Sequence, residues 1–248
     1  MNNLQIESSV KGIYLDVNYI PEDLGYFYSD DASLLGEDVH IVISYFKEKY
    51  PQLTVILFSH SMGTLIARNY ISKYDDEITK LILCGPPTKN NLVDIGLLVA
   101  KLDNIFGNPR KPNEFLNKLS IESFNKNYKY PNEWLSKNEK NVTNYNSDPL
   151  CGFIFTTNGF LNLFSLQKHA FKKKDYLMKN KSLDIFLLAG ACDRVIISIK
   201  KFKELEKFLE ALGYRNVTSK VYPHLRHDLI QEEEKDIIIQ DILEFIRK

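Results

Sequence analysis

Short apolar runs alternate with segments of helical periodicity along most of the chain. The runs predict buried strands over residues 53–58, 81–84, 184–189 and 217–222. Apolar residues three or four positions apart predict helices over residues 34–50, 65–74, 198–213 and from about residue 235. Because strands that alternate with helices usually pair in parallel, this pattern favours a mostly parallel sheet with helices on both faces.

The alternation is lost between residues 87 and 182, where Asn, Lys and aromatic residues are frequent. A connection of that length without structure of its own is improbable inside a compact sheet. We therefore expect residues 87–182 to form an inserted helical cap subdomain, and residues 1–86 and 183–248 to form the core. A further strand is expected over residues 13–19, where apolar and polar positions alternate.

The turn after the first of the four strands has the sequence Ser59-His60-Ser61-Met62-Gly63. It matches a Gly-x-Ser-x-Gly turn, in which the central serine exposes its hydroxyl at the edge of the sheet. Ser59 replaces the first glycine of the pattern. Serine is still small, and a small residue is needed there because the strand and the helix pass close together. The turn predicts Ser61 as a nucleophile and the N–H of Met62 as an oxyanion donor. The alternative is a serine that only caps the helix.

A serine nucleophile needs a histidine base and a carboxylate that orients the histidine. Asp193 follows the strand over 184–189, and His227 follows the strand over 217–222. Both therefore leave the carboxyl edge of the sheet, where open parallel sheets place their sites. The order Ser, Asp, His is also the order expected with this serine turn. We predict Ser61, Asp193 and His227 as the catalytic residues.

Other residues compete for these roles. His224 is a rival base, and Asp148 and Asp228 are rival acids. Asp228 adjoins His227 too closely in sequence to orient it easily. His60 flanks Ser61 but is expected to point away from it and to pack.

Further motifs accompany the serine turn: Glu-Asp-Leu-Gly-Tyr-Phe (22–27), Ile-Ala-Arg-Asn-Tyr (66–70), Leu-Ile-Leu-Cys-Gly-Pro-Pro (81–87), Asp-Pro-Leu-Cys-Gly-Phe (148–153) and Tyr-Pro through His-Asp (222–228). Together they resemble bacterial α/β-hydrolases of the monoacylglycerol lipase and lysophospholipase group, also called serine aminopeptidases S33. The resemblance covers roughly residues 20–248. It implies an α/β-hydrolase fold and the hydrolysis of carboxylic esters with a long acyl chain, without metal or cofactor.

One feature of that group is missing from the sequence. Its members carry a His-Gly loop that donates the second oxyanion N–H, and none of the five histidines here precedes a glycine. Only 60 residues precede Ser61, and the helix over 34–50 uses much of that length. We therefore expect that N-terminal strands of the sheet are missing and that activity is impaired. The first of the four strands would then have an exposed apolar edge that favours a homodimer.

Composition limits the class of partner and compartment. Lys+Arg and Asp+Glu both number 32, and this balance argues against a nucleic-acid partner. The sequence shows neither a signal peptide nor an apolar run long enough to span a membrane. Three scattered cysteines indicate neither a disulfide framework nor a zinc site. We expect a reducing, cytoplasmic setting and a small-molecule lipid or ester as the partner.

Two segments of the predicted cap are candidates for lipid contact. Aromatic residues crowd the first, and they form either an acyl-chain wall or the cap's own core: Phe153, Phe155, Phe160 and Phe164. We expect them to bind substrate. Lysines crowd the second, which is either a solvated helix face or a peripheral contact with anionic membrane lipids: Lys168, Lys172, Lys173, Lys174, Lys179 and Lys181.

Three functions are compatible with these features. The first is a serine esterase or lipase that acts on monoacylglycerol or lysophospholipid through an acyl-enzyme on Ser61. The second is a proline-iminopeptidase-like peptidase, which would need an acidic site in the cap for a free amino terminus. The third is a truncated or non-catalytic homologue that only binds lipid.

Overall fold

Four parallel strands form the sheet in the part of the chain that the computed structural model describes, residues 23–248. They lie side by side in chain order: β1 Ile56–His60, β2 Lys80–Cys84, β3 Asp184–Gly190 and β4 Asn216–Tyr222. All three pairings are parallel, as the sequence predicted. The strand predicted over residues 13–19 lies outside the described residues.

Eight α-helices flank or cover this sheet within the described residues: α1 Leu34–Lys49, α2 Met62–Tyr74, α3 Val93–Phe106, α4 Glu114–Leu119, α5 Glu139–Ser147, α6 Thr157–Ala170, α7 Ile199–Leu212 and α8 Lys235–Arg247. Single 3-10 turns lie at Glu122–Asn125, Lys173–Asp175 and Leu229–Gln231. The helices predicted from periodicity are confirmed. No helix of residues 23–248 is long and apolar enough to cross a membrane.

The start of β1 was predicted wrongly. The apolar run begins at Leu53, but the main-chain N–H of Leu53 donates to the carbonyl of Tyr50 at 3.0 Å in a turn. The ladder with β2 begins only where Ile56 pairs with Lys80. An apolar run alone cannot separate a strand from the turn that leads into it.

The central strands bury both faces. Leu81, Leu83 and Leu187 belong to a core with α2 and α7, whereas Ile82 and Leu188 belong to a second core with α8. Burial on both sides explains why these strands are continuous apolar runs rather than alternating ones. The prediction of helices on both faces is confirmed.

β1 is an edge strand within residues 23–248, since β2 is the one strand that pairs with it there. Its Phe58 side chain is 39% exposed. The predicted loss of N-terminal strands concerns residues outside this range and stays a prediction.

The segment between β2 and β3 carries α3 to α6 and is anchored to the residues before α1. The side chain of Asn158, at the start of α6, accepts from the N–H of Phe27 at 2.8 Å. It also donates to the carbonyl of Ser29 at 2.8 Å. These bonds fix the inserted segment against residues 27–29, while the predicted subdomain boundaries stay a prediction.

The loop after β4 comes very close to Gly190, the last residue of β3. A Cβ atom built there would overlap the carbonyl oxygens of Arg226 and Leu225. Only glycine therefore fits without displacing the segment that carries His227.

We predict that Gly190→Ala lowers the free energy of unfolding by about 1–3 kcal/mol, because the added methyl group overpacks main-chain oxygens. Gly36→Ala, in helix α1, is the matched control, since its Cβ would meet its nearest neighbour, the nitrogen of Tyr70, at 3.4 Å. The control should gain about 0.5–1 kcal/mol from helix propensity. Urea denaturation measures both, and equal effects of the two substitutions would contradict the close approach at Gly190.

Candidate active site

Ser61 occupies the turn between β1 and α2, as predicted. Its backbone lies in a region that is unfavourable for residues other than glycine, with φ 52° and ψ −125°. The N–H of Ser61 donates to the carbonyl of Cys84 at 3.0 Å, and the N–H of Thr64 donates to the carbonyl of Ser61 at 2.9 Å. These bonds hold the strained turn between the neighbouring strand and the helix.

The replacement of glycine by Ser59 has a clear structural basis. A Cβ atom on Gly63 would lie 4.0 Å from the Cβ of Ser59, which is ordinary van der Waals contact. The hydroxyl of Ser59 is buried and donates to the carbonyl of Ile82 at 2.9 Å. Strand and helix therefore leave room for one serine, and the sheet satisfies its hydroxyl.

Asp193 and His227 form a buried pair at the ends of β3 and β4. His227 Nδ1 lies 3.0 Å from Asp193 Oδ2, and the two residues are 1% and 4% exposed, respectively. The other carboxylate oxygen of Asp193 accepts from the N–H of Val195 at 2.7 Å. Both oxygens are thus fixed, so the carboxylate can hold the imidazole in one orientation.

Three residues surround the His227 ring. Gly85, with φ +57°, passes beneath it, and a Cβ there would lie 2.9 Å from the imidazole Cε1. The rings of His60 and Trp134 lie 4.7 and 5.3 Å from the His227 ring, centroid to centroid. Nε2 of His227 is buried and has no hydrogen-bond partner among the described residues. The nitrogen that a base would use is therefore not bonded to any other group of residues 23–248.

His60 does not point away from the site, contrary to the prediction. Its Nε2 lies 3.3 Å from the carbonyl oxygen of His227, and it lines the same cavity as Ser61. Burial, followed by the nearby charge of His227, lowers the pKa of His60 below its usual value. Burial therefore favours the neutral form of the His60 ring.

Ser61, Met62 and His227 all line a cavity of about 1270 Å³ between the sheet edge and the inserted segment. Ser61 and His227 share this wall without a direct hydrogen bond between them in the described residues. Catalytic hydrogen bonds are often long without substrate and tighten in the complex.

The aromatic cluster of the insert divides into wall and support. Phe153, Phe155 and Phe164 line the cavity. Phe160 does not: it is fully buried, and its ring lies 5.8 Å from those of Phe155 and Phe164. Its predicted substrate contact is therefore not supported by its position, because it packs behind the wall.

The rival residues lie in unsuitable places. His224 is exposed and does not line the cavity. The Asp148 carboxylate accepts from the N–H of Leu150 at 2.8 Å on the surface. Asp228 lines the cavity, but its side chain accepts from Asn141 at 3.2 Å.

Sequence reasoning missed Trp134. It is the single tryptophan of the chain, is nearly buried, and lines the cavity beside His227. No periodic pattern marks its segment, and its rarity was the one available signal.

Comparisons with known proteins identify the family and the fold of the chain. The model of the family described as serine aminopeptidase, S33 matches residues 25–234. No curated protein sequence matches the chain. Among solved structures, a thermostable carboxyl esterase from Bacillus coagulans is similar, with a TM-score of 0.80 and 24% identity over 88% of this chain and 72% of that one.

Two lipases are also similar in structure. A monoacylglycerol lipase from Paleococcus ferrophilus has a TM-score of 0.65 and 17% identity, over 86% of this chain and 74% of that one. A soluble variant of monoglyceride lipase from Saccharomyces cerevisiae has 0.59 and 17%, over 85% and 66%. At these identities the likeness shows the fold. Since the family model covers most of the chain and the folds agree, the chain belongs to the serine aminopeptidase S33 family of α/β-hydrolases.

Proposed function

We propose that this hydrolase cleaves carboxylic esters of lipid type, monoacylglycerol or lysophospholipid, through an acyl-enzyme on Ser61. The observation that carries the proposal is the buried Asp193–His227 pair, whose histidine shares a cavity wall with a serine in a strained turn. The three residues follow three separate strands of the sheet, as a triad of this order requires.

In the first half of the reaction, His227 Nε2 takes the proton from Ser61 Oγ as the oxygen attacks the ester carbonyl. Asp193 holds Nδ1–H and stabilises the imidazolium that forms. The negative carbonyl oxygen is stabilised by the N–H of Met62 at the start of α2. When the C–O bond breaks, His227 returns the proton to the departing alcohol.

In the second half, water replaces the alcohol. His227 takes a proton from the water as its oxygen attacks the acyl carbonyl, and then returns it to Ser61 Oγ as the fatty acid leaves. None of the five histidines in the sequence precedes a glycine, so the His-Gly pair that gives the second oxyanion donor in the resembling hydrolases is not found in it. Because loss of one such donor costs about 10²–10³ in kcat, we propose slow turnover.

The cavity wall supports an apolar substrate rather than a peptide. Phe153, Phe155 and Phe164 face a cavity large enough for a long acyl chain. Two acidic residues line it within the described part, Glu122 and Asp228. Asp228 already accepts from Asn141, so a carboxylate pair for a free amino terminus is not assembled there.

A lipid surface is the proposed source of this substrate, and helix α3 is the proposed contact. The helix buries Val93, Leu97 and Ala100 on one face. Apolar residues three or four positions apart also form its outer side, which we call the α3 apolar face: Leu92, Ile95, Leu98, Leu102, Ile105 and Phe106. Leu92 and Ile95 line the cavity as well, so this face is continuous with the cavity wall. A lipid held there could enter without crossing water.

The lysine-rich segment predicted for this contact is less suitable. Lys168 Nζ lies 2.7 Å from Asp94, and Lys172 Nζ lies 3.0 Å from Asp175. Lys179 lies 3.4 Å from Asp76. Neighbouring carboxylates thus offset these charges, as in a solvated helix face.

Ser61→Ala should abolish labelling by a fluorophosphonate probe, because the probe reacts with an activated serine oxygen. Ser59→Ala, two residues earlier, is the matched control and should keep its labelling, since its hydroxyl bonds to the sheet. In-gel fluorescence measures both. Labelling that survives in Ser61→Ala would refute the assignment of the nucleophile.

Hydrolysis of p-nitrophenyl esters should increase from short to long acyl chains, because longer chains bury more apolar surface in the cavity. Proline p-nitroanilide should not be cleaved. The reverse preference would establish the peptidase alternative. If the protein neither cleaves esters nor reacts with the probe, it is the non-catalytic homologue.

Phe106→Asp and Ile105→Asp should reduce co-sedimentation with phosphatidylcholine vesicles by about tenfold or more, since a charge opposes insertion into lipid. These side chains are 83% and 70% exposed. Ile237→Asp, at an exposed position of α8, is the matched control and should bind like the wild type. Equal binding by all variants would refute the contact. A dimer in solution that dissociates in the α3 variants would assign the α3 apolar face to self-association instead.

A further inference from the structure

Glu232 is a buried carboxylate just before α8, only 1% exposed. Its oxygens accept from the hydroxyl of Ser136 at 2.9 Å and from the N–H of Lys137 at 3.0 Å. They also accept from the N–H of Asn138 at 3.3 Å and from the N–H of Arg226 at 3.1 Å. A buried carboxylate is stable here because its oxygens are surrounded by donors.

These donors belong to two different parts of the molecule. Residues 136–138 lie in the segment inserted between β2 and β3, whereas Arg226 immediately precedes His227. Glu232 therefore ties the insert to the loop that carries the histidine. Neither segment belongs to the sheet that positions Ser61.

The residues on both sides of His227 strengthen the same connection. Arg226 Nη1 donates to the carbonyls of Glu133 at 2.6 Å and Ser136 at 2.9 Å. The N–H of Asp228 donates to the carbonyl of Leu135 at 2.7 Å. The segment from residue 133 to 136 is thus fixed along the histidine loop by main-chain acceptors.

Trp134 lies inside this bonded segment. Its indole packs between the rings of Phe124, at 4.9 Å, and His227, at 5.3 Å. The wall against which the imidazole rests is therefore supplied by the insert and held in place by Glu232.

We propose that Glu232 is a positioning residue for His227: it fixes the insert segment 133–138 and the histidine loop to each other, so that the base stays aligned with Ser61. This inference rests on the proposed function, in which His227 is the base. Glu232 touches neither substrate nor the reacting atoms. It acts through Arg226 on one side and through the Trp134 wall on the other.

The bonding requires a carboxylate. All its neighbours at this point are donors, and a carboxylate is an acceptor at both oxygens. A glutamine would present an NH₂ group to N–H groups, which leaves buried donors unpaired and pushes the two segments apart. Because Ser61 is fixed by the sheet, such a shift changes the distance between nucleophile and base.

Glu232→Gln should lower kcat of ester hydrolysis by about 10² with a smaller change in KM, since a displacement of about 1 Å in a catalytic group has that effect. Glu233→Gln is the matched control, because it removes the same charge at the next position, which is exposed. The control should retain wild-type kcat and KM. If Glu232→Gln behaves like Glu233→Gln, the proposal is overturned.

Trp134 fluorescence provides a readout that does not depend on activity. Since it is the chain's single tryptophan, its emission reports on this wall alone. Trp134 packs against the rings of Phe124 and His227, so its emission maximum and its quenching by acrylamide depend on whether this wall stays closed. In Glu232→Gln the emission should shift to longer wavelength and quenching by acrylamide should increase, whereas Glu233→Gln should match the wild type. Unchanged emission in Glu232→Gln would refute the coupling even if kcat had fallen.

Ser136→Ala is the second variant, in case Glu232→Gln fails to fold. It removes one donor to the carboxylate and should shift kcat and emission in the same direction, by a smaller amount.

Trp134→Phe keeps an aromatic wall, and its effect on kcat should be less than additive with that of Glu232→Gln, as for residues of one network. Full additivity would contradict the proposal. If the wild type has no esterase activity but Glu232→Gln still shows the changes in Trp134 emission, the hydrolase proposal is refuted and the coupling is supported.

Discussion

The main-chain bonding at the carboxyl edge of the sheet is the constraint on which the site depends. The N–H of Ser61 donates to Cys84 at the end of β2, and the N–H of Gly85 donates to Leu188 in β3. The N–H of Ala191 then donates to Tyr222 at the end of β4. Each strand exit is thus tied to the next strand. The serine and the carboxylate–histidine pair inherit their spacing from this series of bonds.

The pairing of β3 and β4 extends past the strands themselves. Seven residue pairs join them, and the N–H of Cys192 still donates to the carbonyl of Leu225 at 2.9 Å beyond the last pair. Gly190 permits this close approach because it lacks a side chain. The Asp193–His227 hydrogen bond therefore lies just beyond this main-chain pairing.

The sequence predicted the parallel sheet and the placement of Asp193 beside His227 because parallel strands follow a simple rule. Their carboxyl ends meet at one edge, so residues after separate strands could be placed together without knowing any long-range contact. Phe160 could not be separated from Phe155 and Phe164 in the same way, since all three are aromatic and close in sequence. Their division into wall and support depends on how α6 packs against α3. The start of β1 and the orientation of His60 similarly depend on tertiary contacts that an apolar pattern does not encode.

The inserted segment was the least predictable part of the fold. Its hydrogen bonds fix the loop that carries His227. The insert lines the cavity and can therefore contribute to the choice of ligand. Here the insert also bonds to residues 226 and 228, on both sides of the histidine. Ser61 and Asp193 follow strands of the sheet, whereas His227 lies in a loop that is also bonded to the insert. Under the proposed function, a change in the insert that widens the cavity should therefore also move His227 relative to Ser61, and we expect substrate specificity and kcat to change together. That expectation rests on the hydrogen bonds of Glu232 and Arg226 and not on the acyl chain or head group of the substrate.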